Sequence, residues 1–137
     1  MNKDETIRHI FQNSKIIAVV GFSSYHGKAG YYVPAYLSDH GYKIYPVNPH
    51  IESGLGLKAY PDLASLPEKP DVVLIFRRST AVPPFVDQAI EIGAKVVWMQ
   101  LGIINVPAAD NARAAGLDVV MDACMMVEHR RCQAYLV

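Results

Sequence analysis

The residues with most to offer a ligand lie in the stretch Gly21-Phe22-Ser23-Ser24-Tyr25-His26-Gly27-Lys28-Ala29-Gly30, directly after the apolar run Ile17-Ala18-Val19-Val20. Small residues leave backbone N–H groups open, two hydroxyls stand among them, and a helix-length segment follows. A turn of that kind leading into a helix N-terminus attracts a phosphate. It is not the dinucleotide fingerprint G-x-G-x-x-G, because Ser23 occupies the place of the second glycine. The next strand-like run ends in Val47-Asn48-Pro49-His50, with no carboxylate where a nicotinamide-binding domain places one for the ribose 2′-hydroxyl. Lys28, Lys43 and His50 are the nearby groups in sequence, so an extra phosphate on the ribose is tolerated or attracted there. Arg77-Arg78 follows another apolar run, a strand-end position at which a guanidinium can meet an anion. Cys124 sits past the last run without a histidine or acid close enough in sequence to activate it, and reads as a buried packing residue. His9, His26, His40, His50 and His129 are scattered without metal-ligand spacing, so no metal is expected.

These groups need a scaffold, and the apolar pattern supplies one. β-Branched runs at residues 16–20, 44–47, 72–76, 96–100 and 119–121 read as buried strands. The segments between them end in a glycine followed at once by the next strand, as in His40-Gly41-Tyr42, Ile92-Gly93-Ala94 and Ala115-Gly116-Leu117, the expected left-handed helix stop. Pro83-Pro84 and Pro107 mark helix starts, with Ser79 or Thr80 available to cap the former. An opening amphipathic helix carries Ile7, Ile10 and Phe11 on one face and Asp4 and Glu5 in its first turn. Pro34 falls inside the expected helix over residues 30–39, which must therefore fray or bend there. Residues 51–66 break the rhythm and read as a connection, with a short strand near 57–60 and one helical turn after Pro61. Strand and helix alternate throughout. Right-handed crossovers then give an α/β doubly wound, mostly parallel five-stranded sheet with helices on both faces, built from residues 1–137 as one domain.

Composition agrees with that fold and excludes several classes. A hydrophobic fraction of 51% with 19% charged residues suits a sheet covered on both faces. Thirteen basic residues balance thirteen acidic ones, so net charge gives no pull toward nucleic acid or an anionic membrane, and any anion site is local. No apolar run reaches the roughly 18 to 20 residues of a membrane span, and Met1-Asn2-Lys3-Asp4-Glu5 lacks the layout of a signal peptide. With two cysteines, Cys124 and Cys132, read as reduced thiols, the expected location is cytoplasmic.

The strings V-V-G-F-S-S, G-K-A-G-Y-Y-V-P-A-Y-L-S-D-H-G-Y-K-I-Y-P-V-N-P, V-V-L-I-F-R-R-S, V-W-M-Q-L-G-I and V-V-M-D-A-C-M-M-V-E-H, in this order and spacing, resemble the small stand-alone CoA-binding proteins. Those are related to the N-terminal domain of the succinyl-CoA synthetase α subunit. The resemblance covers residues 14–131 and implies a Rossmann-like fold holding coenzyme A by its ADP portion, the pantetheine arm running over the strand ends. Carried over by position, Gly21, Ser23 and Ser24 would hold the pyrophosphate and Lys28 would neutralise phosphate charge. Val47, Asn48 and Pro49 would flank the adenosine. Phe76, Arg77 and Ser79, then Gln100 and Gly102, would line the pantetheine path. The synthetase needs a further domain and a partner subunit, so the resemblance implies binding of CoA or an acyl-CoA without ligase activity. Two other readings stay open: an acyl-CoA-dependent enzyme using Cys124 or His129 from the segment Glu128-His129-Arg130-Arg131, and an NAD(P)-binding redox sensor.

Overall fold

The computed structural model describes residues 1–136. In chain order the elements are α1 (Lys3–Asn13), β1 (Ile16–Val20), α2 (Ala29–Asp39), β2 (Lys43–Val47), the short strands β3 (Ser53–Gly54) and β4 (Leu57–Lys58), β5 (Val72–Ile75), α3 (Pro83–Glu91), β6 (Val96–Met99), α4 (Val106–Ala114), β7 (Asp118–Val120) and α5 (Met125–Cys132). Five strands form one parallel sheet in the order β2-β1-β5-β6-β7. The chain runs outward from β1 to β2, then returns across β1 to start β5. This reversal opens a crevice between the C-terminal ends of β1 and β5, where doubly wound folds take their ligands.

The strands read as continuous apolar runs because successive side chains enter opposite layers. Ile17 and Val19 of β1, Val72 and Leu74 of β5 and Trp98 of β6 pack with Ile7, Ile10 and Phe11 of α1, Val33 and Leu37 of α2 and Met125 and Cys132 of α5. Their neighbours Ala18, Val20, Val73, Ile75, Val97 and Met99 pack with Val86 and Ala89 of α3 and Ala108, Ala109 and Ala112 of α4. Each of the larger buried side chains contributes about 1.5–3 kcal/mol. None of the helices among the described residues is long and apolar enough to cross a membrane.

Local differences from the sequence expectations have local causes. Ser79 and Thr80 do not cap α3: they form a 3-10 turn with Ala81, and Val82 is the N-cap, with no side-chain cap bond. Asn2 caps α1 and Asn105 caps α4, each accepting a backbone N–H three residues on. Pro34 lies in the interior of α2. Residues 53–58 close an antiparallel hairpin through Leu55 and Gly56, both at positive φ, and Tyr60 bridges to Val47 beside β2.

His129 departs most from expectation. It stands in the charged segment Glu128-His129-Arg130-Arg131, yet it is 4% exposed, enclosed by the rings of Phe11, Tyr36, His40 and Tyr42. Its Nδ1 lies 2.9 Å from the Tyr36 hydroxyl, and Tyr36 also stacks on His40. Burial, with His40 close by, holds the His129 imidazole below its ordinary pKa. The same apolar enclosure pushes the Tyr42 phenol up to about 12. Because the unfolded chain then takes up the His129 proton first, stability is full above the unfolded pKa of about 6.5 and declines as pH falls from there toward the folded value. The slope from this group is at most about 1.4 kcal/mol per pH unit. Denaturant midpoints measured between pH 7.5 and 5 are expected to fall in the native chain and to flatten in His129→Gln, which keeps an acceptor for Tyr36 but does not titrate. Parallel pH dependence in the two proteins would refute this assignment.

Candidate functional site

The crevice is built where three strands stop pairing. One residue beyond β1, the Gly21 N–H still donates to the Val47 carbonyl at 3.0 Å, and one residue beyond β5 the Phe76 N–H donates to Val20 at 2.9 Å. Gly21 then turns away with φ at +79°, and a Cβ there would stand 2.8 Å from the Phe76 carbonyl oxygen. Only glycine meets both demands.

Beyond that point two depressions share Gly21, Asn48, His50 and Phe76 in their walls. The larger, about 740 Å³, is formed by the loop after β1 and the start of α2, with Ser23, Ser24, Tyr25, Lys28 and Gly30 in its wall. The smaller, about 270 Å³, adds Val20, Val47, Pro49, Pro61, Arg77 and Phe85. No side chain caps the N-terminus of α2, and its first turn carries no acid. The first amides of that helix therefore face the groove without a competing anion, with the positive end of the helix dipole behind them. Lys28 stands at the N-cap with Nζ 5.4 Å from the centre of the Tyr25 ring, and Arg77 lies over Phe85 at 5.5 Å. Both cations are exposed, and neither pairs with a carboxylate among the described residues.

The loop is fixed from three sides. The Ser23 N–H donates to the Gly30 carbonyl at 3.1 Å, and Ser23 Oγ accepts the Tyr25 N–H at 3.1 Å. Asn48 Nδ2 donates to the Phe22 carbonyl at 2.8 Å, while Asn48 Oδ1 accepts the His50 N–H at 2.8 Å. The Phe22 ring is buried under the β3–β4 hairpin, so close to Gly54 that a methyl group there would collide with it. Tyr31 stacks on His26 at 4.1 Å and meets Phe22 edge-on.

Nine of the sequence-predicted residues come together in the two depressions: Gly21, Ser23, Ser24, Lys28, Val47, Asn48, Pro49, Phe76 and Arg77. The other three face protein partners. Ser79 Oγ accepts the Ile104 N–H, and its carbonyl accepts Asn105 Nδ2. Gln100 is buried, its Oε1 accepting the Met125 N–H at the start of α5. The Gly102 N–H donates to Asp122 Oδ1. These bonds brace the loops after β5, β6 and β7 into one platform beside the crevice. Lys43 is a correction: it opens β2, at the opposite end of the strand from the crevice, and pairs there with Glu68. Cys124 is half-buried at the N-cap of α5, and Cys132 is buried. Burial pushes the Cys132 thiol up, away from reactivity at neutral pH. Sequence reasoning missed Ile51, Pro61 and Phe85 as wall residues. The glycine-proline pattern gave residues 51–66 as connection only, and nothing in it says that Pro61 folds back over the strand ends.

A family model described as CoA binding domain matches residues 15–130. The uncharacterized protein YneT of Bacillus subtilis (strain 168) is 39% identical over 123 residues, spanning 90% of this chain and 91% of that protein. Acetate–CoA ligase [ADP-forming] II of Archaeoglobus fulgidus is 35% identical over 83 residues, which take in 59% of this chain and 12% of the ligase. A hypothetical protein from Pyrococcus horikoshii OT3 has a solved structure that superimposes with a TM-score of 0.91 at 44% identity, covering 95% of this chain and 92% of that one.

The two-fold demand on Gly21 is testable against Gly41, which also has positive φ (+94°) but nothing within 4 Å of an added Cβ. Gly41→Ala is expected to cost about 1 kcal/mol of unfolding free energy, from backbone strain alone. Gly21→Ala should cost about 2 kcal/mol or more, since the contact with Phe76 adds to the strain. Equal losses in urea titrations would show that the close approach to Phe76 is relaxed without cost.

Proposed function

The chain belongs to the CoA-binding domain family, and on that premise we propose that it binds coenzyme A or an acyl-CoA through the ADP portion, as a single carrier or sensor module without ligase chemistry. The observation that carries the reading is the paired depression at the β1–β5 reversal. Its larger part joins an uncapped helix N-terminus and two serine hydroxyls, a donor set suited to a pyrophosphate, with Lys28 beside them to meet the ribose phosphate. Its smaller part offers flat and apolar surface from Val47, Pro49, Pro61 and Phe85 with one guanidinium, suited to an adenine ring. The ligand itself would supply a thiol or thioester at the far end of the pantetheine. The braced platform of Ser79, Gln100 and Gly102 lies on the side toward which that arm would extend.

Two observations favour this over the other readings. The β2 end presents Asn48, Pro49 and His50 to the crevice and no carboxylate, which disfavours a free ribose 2′-hydroxyl and hence NAD. His129 is enclosed by aromatic rings between α1, α2 and α5, which removes it as a proton shuttle for a bound thioester. Cys124 is then a packing residue.

Titrations at one fixed salt concentration test the reading. CoA is expected to bind more tightly than dephospho-CoA, and much more tightly than NAD. A charge-assisted contact of about 1.5–3 kcal/mol corresponds to roughly 10- to 150-fold. In Lys28→Ala the preference for CoA over dephospho-CoA should shrink. Binding of NAD as tight as that of CoA would overturn the ligand, and an unchanged preference in Lys28→Ala would move the phosphate contact to another cation. Cys124→Ala should bind CoA as the native chain does; a thioester turnover present in the native chain and lost in this variant would replace the binding module with an enzyme.

A further inference from the structure

We infer that Pro34, at the hidden end of a two-link chain, is a positioning residue for the anion loop. In an α-helix the carbonyl of residue i receives the N–H of residue i+4, so the helical donor for the Gly30 carbonyl would be residue 34. Proline has no N–H, and its ring crowds the carbonyl one turn back, tilting it out from the helix axis. The freed Gly30 carbonyl takes the Ser23 N–H instead, at 3.1 Å. A second observation fits the first: Gly30 lacks the side chain that would obstruct this approach, since a Cβ there would stand 3.1 Å from the Gly21 carbonyl oxygen and 3.3 Å from Ser23 Cβ. Pro34 itself is buried and lines neither depression. It acts through Gly30 to draw Ser23 down onto α2, which sets how the Ser23–Ser24 segment faces the helix N-terminus. A proline in a helix interior is normally a cost to stability, and here that cost accompanies a carbonyl made available to the loop.

The inference rests on the reading of this loop as the pyrophosphate site, and its test separates the two. In Pro34→Ala the new N–H can bond to Gly30 within the helix. Amide hydrogen exchange followed by NMR, without ligand, should show the residue-34 amide protected and the Ser23 amide exchanging at least tenfold faster than in the native chain. The thermal midpoint should stay equal or rise. Affinity for CoA should fall roughly tenfold, the scale of one misplaced backbone donor to an anion, while adenosine 3′-monophosphate, which has no pyrophosphate, should bind as before. A Ser23 amide as protected as in the native chain, or an unaltered CoA affinity in the variant, overturns the role of Pro34. An equal loss for both ligands also overturns it, since the effect would then not be local to the loop. Should the native chain fail to bind CoA at all, the ligand reading falls, and the exchange data still decide whether Pro34 places Ser23.

Discussion

The crevice, and with it everything offered to a ligand, depends on how closely the chain at Gly21 passes the carbonyl of Phe76. Adjacent parallel strands lie about 4.8 Å apart, and here the ladder continues one residue past the regular strands on both sides of β1. The chain must then leave the sheet at once, because α2 begins only nine residues after β1 ends. A residue with a Cβ would push β1 and β5 apart at their ends. The loop that Asn48 ties down through the Phe22 carbonyl starts from that turn.

Much of this was legible in the chain itself. Strands covered on both faces must be apolar at consecutive positions, so β1, β2, β5 and β6 stand out, and the glycines that stop α2, α3 and α4 mark their ends. The anion loop was legible for the same reason: its small residues and its place after the first strand are local facts. What escaped was long-range. Gln100 and Met125, or Gly102 and Asp122, are 25 and 20 residues apart and meet only because β6 and β7 are neighbours. Sequence order alone does not tell whether Gln100 faces a ligand or a helix terminus. Lys43 shows a simpler limit: it is near Asn48 in sequence but not in space, because the whole length of β2 separates the two ends of the strand.

His129 illustrates another limit. Its four enclosing rings come from α1, α2 and the turn before β2, none of them near it in sequence. Charged neighbours at Glu128, Arg130 and Arg131 disguise it, yet helical geometry turns the two arginines outward while His129 shares the inward face with Met125 and Cys132, and Glu128 is half-buried beside them. The basic residues keep to the solvent side, Arg130 lying across the Tyr36 ring and Arg131 bonded to Glu128.

Trp98, the single tryptophan, is fully buried in β6, with its indole N–H donating to the Ala123 carbonyl at 2.8 Å. It therefore works as a built-in lamp sealed away from the crevice. Its indole lies among apolar core side chains, so its emission is expected to shift when the whole sheet opens. Tyr25 and Tyr31 stand at or beside the groove instead. Indole light from this one chain is thus a single-residue reporter on the integrity of the core, while phenol light is shared among eight tyrosines, of which Tyr25 is the one in the wall of the groove.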